Sequence, residues 1–351
     1  MDGDVIYRLP PMLLGAEVYT ANQLEDIVDW GLKNNNIPDH WDVSNRGAGV
    51  TVGVLDTGRY DHTDLAEPVF SYNFSSSRDD LDRQGHSTHV CGTIAMLENG
   101  KGGIGVSPRA NVGICKVLGD DGSGDNRGIT KGVYKCIDHQ VDIISMSLGG
   151  GFDPGLSQAL LDAVNAGIFV ICAAGNDGKR GNSNTINYPA RLAHTIAIAS
   201  YNRDGKISDY SSRGPQIDAA FPGEDILSTW IGNKYRRISG TSMATPFCSG
   251  LVALMISAHK DNESFHVRNN TDLRQHLKDN SVDQGEMGKD NAWGWGIPDP
   301  SGIIRAKKDD DVIDPPSGDD GDPSKKFELL GYSIYTDAAF DGKGGIFITE
   351  D

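Results

Sequence analysis

The sequence predicts an α/β fold of three layers, α/β/α, around a mainly parallel central sheet, and three observations carry this. From about Gly49 onward, short β-branched runs alternate with longer segments of helical period. The runs are apolar almost without interruption, as strands covered on both faces must be. The length, 351 residues, admits one large core of roughly 250 to 280 residues with smaller additions.

Taken in order, the strand candidates are 49–55, 111–117, 141–147, 168–173 and 195–199. Helix candidates at 87–97, 129–140 and 155–166 lie between them, and a last one, 242–260, carries Gly250 and Ala253 where close packing on the sheet wants small residues. After Trp293-Gly294-Trp295-Gly296 the composition changes. Residues 309–322 are rich in Asp, Pro, Gly and Ser, too polar to build a core, and predict a flexible acidic linker. Beyond it, apolar residues flank Asp341-Gly342-Lys343-Gly344-Gly345, a turn between two short strands that need something to dock on. The chain therefore divides into an N-terminal extension, 1–25; a main domain, 26–305; a linker, 306–326; and a small hairpin-like appendage, 327–351.

Composition narrows the function classes. With 49 acidic against 32 basic residues the net charge is −17, a surface that repels phosphate backbones and anionic lipid, so nucleic acid is not an expected partner. No run approaches the ~20 apolar residues that span a bilayer, so no membrane is expected either. Asp2 and Asp4 stand where a secretory signal carries Lys or Arg, and Leu13-Leu14 is too short for its apolar stretch. Five cysteines, Cys91, Cys115, Cys136, Cys172 and Cys248, are odd in number and sit in apolar or regular segments. They predict reduced core thiols and a cytoplasmic protein; the alternative is an exported protein whose signal is absent from this sequence.

Three segments place a reactive side chain in a Gly-punctuated setting. In Val54-Leu55-Asp56-Thr57-Gly58 a carboxylate ends a buried strand, where open α/β sheets put their sites; a turn cap explains it equally well alone. In Gly85-His86-Ser87-Thr88-His89-Val90-Cys91-Gly92-Thr93 a helix opens with His86 exposed and His89 a turn further in, a buried structural histidine. Two histidines at this spacing also suit a metal, but the Glu of a zinc-protease helix is missing. In Gly240-Thr241-Ser242-Met243-Ala244-Thr245-Pro246 a serine meets a helix N-terminus, whose free N–H groups stabilise negative charge; a plain N-cap is the other explanation. Caps do not account for all three together.

In order and wording, these segments resemble the Asp, His and Ser motifs of the subtilisin-like serine peptidases. The resemblance runs from Trp30-Gly31-Leu32 to about Asp299 and includes 142–150 and Ala173-Ala174-Gly175-Asn176. It implies a serine endopeptidase acting on proteins or peptides, with Ser242 as nucleophile, His86 as general base and then acid, Asp56 fixing the His86 tautomer, and Asn176 helping to hold the oxyanion. Without the resemblance, Asn176 reads equally as a turn residue before Asp177-Gly178. The resemblance also implies that Ser123 and Gly124, with Ser147, Leu148 and Gly149, clamp substrate as an added strand. Asn126 falls where many relatives carry an aromatic residue in a distal pocket, and Asn187 at the floor of the primary pocket; both make these pockets more polar. Ser87 and Cys91 replace a common Gly and Ala, and Phe247 with Cys248 a common His-Val pair, without removing a catalytic atom.

Matched in the same way, a calcium ion is expected on the side chains of Asp64 and Asn99 and the carbonyls of Leu97, Lys101 and Gly103, with Asp26 as a further ligand; such oxygen donors suit a hard cation. Only 29 residues precede Trp30, which resembles the intracellular branch of the family, where a short extension with a Leu-x-Pro-aromatic element keeps the enzyme latent as a zymogen. Leu9-Pro10-Pro11 lacks the aromatic after Pro, though Tyr7 lies just before. Residues 1 to about 25 are therefore expected to inhibit until cut, Pro10-Pro11 being a stiff and poor cleavage site. A homo-oligomer is compatible with the sequence. The competing expectation, from another class, is an idle protein that holds extended peptides in the same cleft.

Overall fold

The computed structural model describes residues 4–20, 25–59, 61–181, 183–305, 327–329 and 332–334. In chain order the strands of the first compact unit are β1 (Ile6–Arg8), β2 (Leu13–Thr20), β3 (Thr51–Asp56), β4 (Phe70–Asn73), β5 (Asn111–Lys116), β6 (Ser123–Asp125), β7 (Ile143–Met146), β8 (Gly149–Gly150), β9 (Phe169–Ala173), β10 (Ile196–Tyr201), β11 (Ile217–Pro222), β12 (Ile226–Trp230), β13 (Lys234–Ser239) and a short antiparallel pair, β14 (Ser281–Val282) and β15 (Ile297–Pro298). Its α-helices are α1 (Trp30–Asn34), α2 (His86–Ala95), α3 (Asn126–Asp138), α4 (Pro154–Asn165), α5 (Thr241–Ala258), α6 (Asn270–Asp279) and α7 (Pro300–Ile304).

Seven strands form one sheet in the order β11-β10-β9-β7-β3-β5-β4, every neighbouring pair parallel. This is the α/β fold with a parallel central sheet that the sequence predicts. The five foreseen strands are buried along nearly their whole length, which is why their β-branched runs lack alternation. After β3 the chain first builds outward through β4 and β5, then returns to the other side of β3 for β7, β9, β10 and β11. That reversal opens a crevice at the carboxyl ends of β3 and β7, the place where such sheets bind ligands. Helix α2 packs with α5, and α3 with α4, giving the helical layers.

Helix α5 is 18 residues long with a mean hydropathy of 1.4, long and apolar enough to cross a membrane, which no sequence run was expected to be. Its apolarity is that of a core helix, since Thr241 through Met255 are all buried. Pro246 lies inside it. The missing Pro246 N–H leaves the Ser242 carbonyl without its i→i+4 donor, and Ser147 Oγ donates to that carbonyl instead at 3.0 Å. A backbone defect one turn into the helix thus becomes a tie to the loop after β7.

Two smaller sheets concern the extension. β1 lies between β6 and β8, antiparallel to both, and β2 adds antiparallel to β13, which pairs with β12. The extension is therefore part of the first unit rather than a separate piece. In the second unit Phe327–Leu329 pairs antiparallel with Tyr332–Ile334. The turn expected at 341–345 and the linker at 306–326 lie outside the described residues. All five cysteines are buried and unpaired.

Candidate active site

Asp56 ends β3 and His86 begins α2, and the two are joined. His86 Nδ1 lies 2.8 and 2.9 Å from the Asp56 carboxylate oxygens, with both side chains fully buried. Nδ1 carries the proton, because an ionised carboxylate only accepts. Asp56 Oδ1 also accepts from the Thr57 N–H at 2.7 Å. This leaves Nε2 as the basic nitrogen; it is buried and has no partner among the described residues. His86 can open the helix because Gly85 precedes it at φ +93°, in the left-handed region, where a Cβ would also strike the Trp230 ring at 2.7 Å.

The start of α2 is held by a residue that sequence inspection missed. The buried Asp82 carboxylate accepts from Thr57 Oγ1 and from the backbone N–H groups of Gln84 and Gly85 on one oxygen, and from the Thr88 N–H and Oγ1 on the other. Thr57 Oγ1 in turn accepts from the Ser87 N–H, so the end of β3 and the start of α2 are sewn together. Asp82 sits four residues before His86, and that spacing, a carboxylate just ahead of a helix start, was the available signal. Lys116 was missed as well: its buried Nζ donates to the Thr57 and Leu81 carbonyls and to Asp120 at 2.9 Å. His89 is the structural histidine expected: Nε2 donates to the carbonyls of Ile226 and Arg236, and burial, with His86 beside it, pushes it down to about 3.

Ser242 is the second residue of α5, so its N–H lacks an intrahelical acceptor. Its Oγ lies 3.5 Å from the Ser147 carbonyl, and no hydrogen bond joins it to His86. Asn176, after β9, has its amide fixed by Thr241: the Thr241 N–H and Oγ1 both donate to Oδ1 at 2.9 Å. Nδ2 therefore points away from the helix, and it donates to the Pro11 carbonyl of the extension at 2.6 Å. A serine at a helix start, an imidazole with a free basic nitrogen and an outward amide donor are the parts of an acyl-transfer site.

The residues expected to clamp substrate are occupied by β1. Tyr7 pairs with Gly124 and Gly150, Arg8 with Ser123 and Gly149, and the Leu9 N–H donates to the Gly122 carbonyl. Leu148 is buried beneath. Tyr7 is 1% exposed, and its hydroxyl donates to the Gly151 carbonyl at 2.8 Å. Asn126 begins α3; its Nδ2 donates to Asp153 at 2.7 Å and its Oδ1 is buried without a partner among the described residues. Asn187, expected at the floor of the primary pocket, lies against Gly149 with Nδ2 donating to Asp177 at 2.8 Å.

On the other side, Asp64 is buried with only neutral partners, the Asn99 amide at 2.9 Å and the Tyr235 hydroxyl at 3.1 Å. Burial pushes its carboxyl up to about 7. The carbonyls of Leu97, Lys101 and Gly103 accept no hydrogen bond among the described residues, whereas that of Gly102 takes the Ile27 N–H. Asp26 differs from its expected role as a further ligand: its carboxylate accepts the N–H groups of Asn99, Gly100 and Lys101, bracing the loop from outside. Among the described residues there is no group of three or more His, Cys, Asp and Glu side chains that could hold a metal.

Comparison with known proteins identifies the family. A family model described as "Subtilase family" matches residues 47–296. The "Intracellular serine protease" of Paenibacillus polymyxa is 43% identical over 249 residues, 68% of this chain and 76% of its own. The "Major intracellular serine protease" of Bacillus subtilis (strain 168) is 39% identical over 272 residues, 74% of this chain and 83% of its own. "Subtilisin E" from the same organism is 36% identical over 262 residues, 74% and 69% respectively.

The Asp82 network makes a prediction. Asp82→Ala strands several buried donors, so it is expected to lower stability by about 3 kcal/mol or more. Denaturant unfolding measures this, and an unchanged midpoint contradicts the assigned role.

Proposed function

The chain belongs to the subtilase family of serine endopeptidases, and from that premise we propose that it cleaves peptide bonds with Asp56, His86, Ser242 and Asn176. The observation that carries the assignment is the buried His86, with Nδ1 on Asp56 and Nε2 without a partner among the described residues, on a helix, α2, that packs against α5, whose second residue is Ser242. Ser242 Oγ attacks the scissile carbonyl carbon while its proton passes to His86 Nε2. Negative charge on the carbonyl oxygen is met by Asn176 Nδ2 and the Ser242 N–H. Collapse breaks the C–N bond, the amine leaves with the proton from His86, and water repeats the sequence on the acyl-serine. The Ser242–His86 hydrogen bond forms when substrate turns the hydroxyl from Ser147, as loose contacts in free enzymes tighten on binding. A fluorophosphonate probe is expected to label Ser242 once the cleft is free, and not the Ser242→Ala chain. Asn176→Ala is expected to lower kcat by about 10²- to 10³-fold; labelling elsewhere, or an unaffected Asn176→Ala, contradicts the assignment.

We infer that residues 1–25 hold the enzyme latent. Support comes from β1 pairing with both β6 and β8, the burial of Tyr7 with its hydroxyl on the Gly151 carbonyl, and Pro11 taking the Asn176 amide. Neither Pro10 nor Pro11 has an N–H, so the ladder that aligns a substrate stops at Leu9, short of the nucleophile. A chain held this way binds like substrate, with the Pro11 carbonyl on the Asn176 amide and the stiff Pro10-Pro11 pair making a poor cleavage site. A chain starting at Asp26 is expected to exceed the full chain in activity, and Tyr7→Ala to relieve latency in part, by up to about 10²-fold. Equal rates overturn the inference. The two intracellular relatives and the five unpaired buried thiols support a cytoplasmic setting.

Calcium is proposed at Asp64, Asn99 and the carbonyls of Leu97, Lys101 and Gly103, where it would brace the loop that Asp26 holds. The fit rests on a buried carboxylate without a cation and three carbonyls without donors. Folding raises the Asp64 carboxyl from 3.8 to about 7, so folded protein favours the proton, and metal-free stability falls as pH rises between these values. A cation reverses that loss. Calcium is therefore expected to raise Tm more at pH 8 than at pH 5; equal or absent shifts contradict the site.

A further inference from the structure

The extension marks out more of the molecule than the cleft before the scissile bond. Past Pro11 it continues as β2, eight residues long, along the edge of β13. β13 ends at Ser239, three residues before Ser242, and the pairing begins there: Leu13 with Ser239, Leu14 with Ile238, then, past an irregularity, Val18 with Arg236, Tyr19 with Tyr235 and Thr20 with Lys234. The chain thus leaves the reactive centre straight onto a sheet edge.

What holds β2 there is chiefly its backbone. Leu13, Leu14 and Val18 remain 63%, 48% and 42% exposed, so their side chains contribute little. The ladder hydrogen bonds are ones that any extended chain can supply. Side-chain demand falls at Gly15, where a Cβ would come within 2.8 Å of the Arg237 carbonyl. Charge adds a preference. In a chain of net charge −17, β13 carries Lys234, Arg236 and Arg237. Arg237 is tied to Asp29 at 3.0 Å, but neither Lys234 nor Arg236 has a carboxylate within ion-pair distance among the described residues. Arg236 donates Nε to the Gly15 carbonyl at 3.1 Å and lies over the Trp230 ring.

We propose that, once the extension leaves, the β13 edge receives the part of a protein substrate that follows the scissile bond, as an antiparallel strand of up to eight residues, with acidic residues favoured opposite Arg236 and Lys234. This rests on the proposed endopeptidase mechanism and names its substrate class: long unfolded acidic segments rather than short peptides. A bare strand edge seeks a partner, and here the partner arrives already aligned by the cleft.

The test uses three quenched peptides identical up to the scissile bond. One ends two residues after it, one continues for eight with alternating Glu, and the third has the same long tail with alternate amides N-methylated. They are assayed on the full chain and on its Tyr7→Ala, Gly15→Val double variant, in which Tyr7→Ala loosens β1 from the cleft and the Gly15→Val side chain, meeting the Arg237 carbonyl, loosens β2 from β13. The long peptide is expected to gain about 10-fold in kcat/KM, mostly through KM, and N-methylation to remove the gain. Arg236→Ala is expected to reduce the gain and its salt sensitivity while sparing the short peptide. Equal kcat/KM for short and long peptides overturns the proposal, as does a gain that survives N-methylation. Cleavage of neither peptide, with no probe labelling of Ser242, overturns the endopeptidase mechanism itself.

Discussion

The hydrogen bond between His86 Nδ1 and Asp56 joins the end of a buried strand to the first residue of a helix, and much of the surrounding structure exists to hold those two ends together. A buried carboxylate is costly unless donors meet it, and Asp56 has two, the imidazole and the Thr57 N–H. The helix end is costly for the opposite reason, since its first N–H groups have no acceptors inside the helix. Asp82 accepts the N–H groups of Gly85 and Thr88 while gripping Thr57 on the strand side, Thr57 Oγ1 accepts that of Ser87, and Gln84 Oε1 accepts that of His86. Lys116 closes the same junction from beneath through the Thr57 carbonyl. One unsatisfied strand end and one unsatisfied helix end thus satisfy each other, and the by-product is an imidazole with a fixed tautomer and a free Nε2.

The same logic of completed hydrogen bonding explains the nucleophile's side of the cleft. Pro246 deprives the Ser242 carbonyl of a donor and Ser147 supplies one, which couples the α5 start to the loop before β8. Thr241 spends two donors on Asn176 Oδ1, which leaves the amide no choice but to face the cleft. The grooves flanking the site are strand edges, and an edge is unsatisfied until something pairs with it. The extension does this at β6, β8 and β13 in one pass. In the proposed account, latency and substrate binding are two uses of one set of backbone groups at strand edges.

Much of this was legible in the sequence, for physical reasons. The five central strands announce themselves because burial on both faces removes polar alternation. Asp56, His86 and Ser242 stand out because each needs a glycine-rich turn that is local in sequence. β11 was not seen, because Asp218 and Pro222 break its pattern; Asp218 is tolerable through Arg274 at 2.7 Å, the Ala197 N–H at 2.9 Å and Lys289 at 3.8 Å, partners that no local signal reveals. β2 was unreadable as a strand for the same reason, its ladder partner lying far along the chain in β13. The partner of Asn126 was equally unreadable, since the Asp153 that takes its amide lies on another segment of the chain. Asp26 likewise holds backbone donors where a ligand was expected.

The most direct measurement is proton NMR of the imidazole N–H of His86 in the full chain. The account predicts a strongly downfield, slowly exchanging resonance from Nδ1–H held against the buried Asp56, lost in Asp56→Asn and retained in Ser242→Ala. A resonance that survives Asp56→Asn, or that is absent from the unaltered protein, would contradict the claim that this buried pair organises the site.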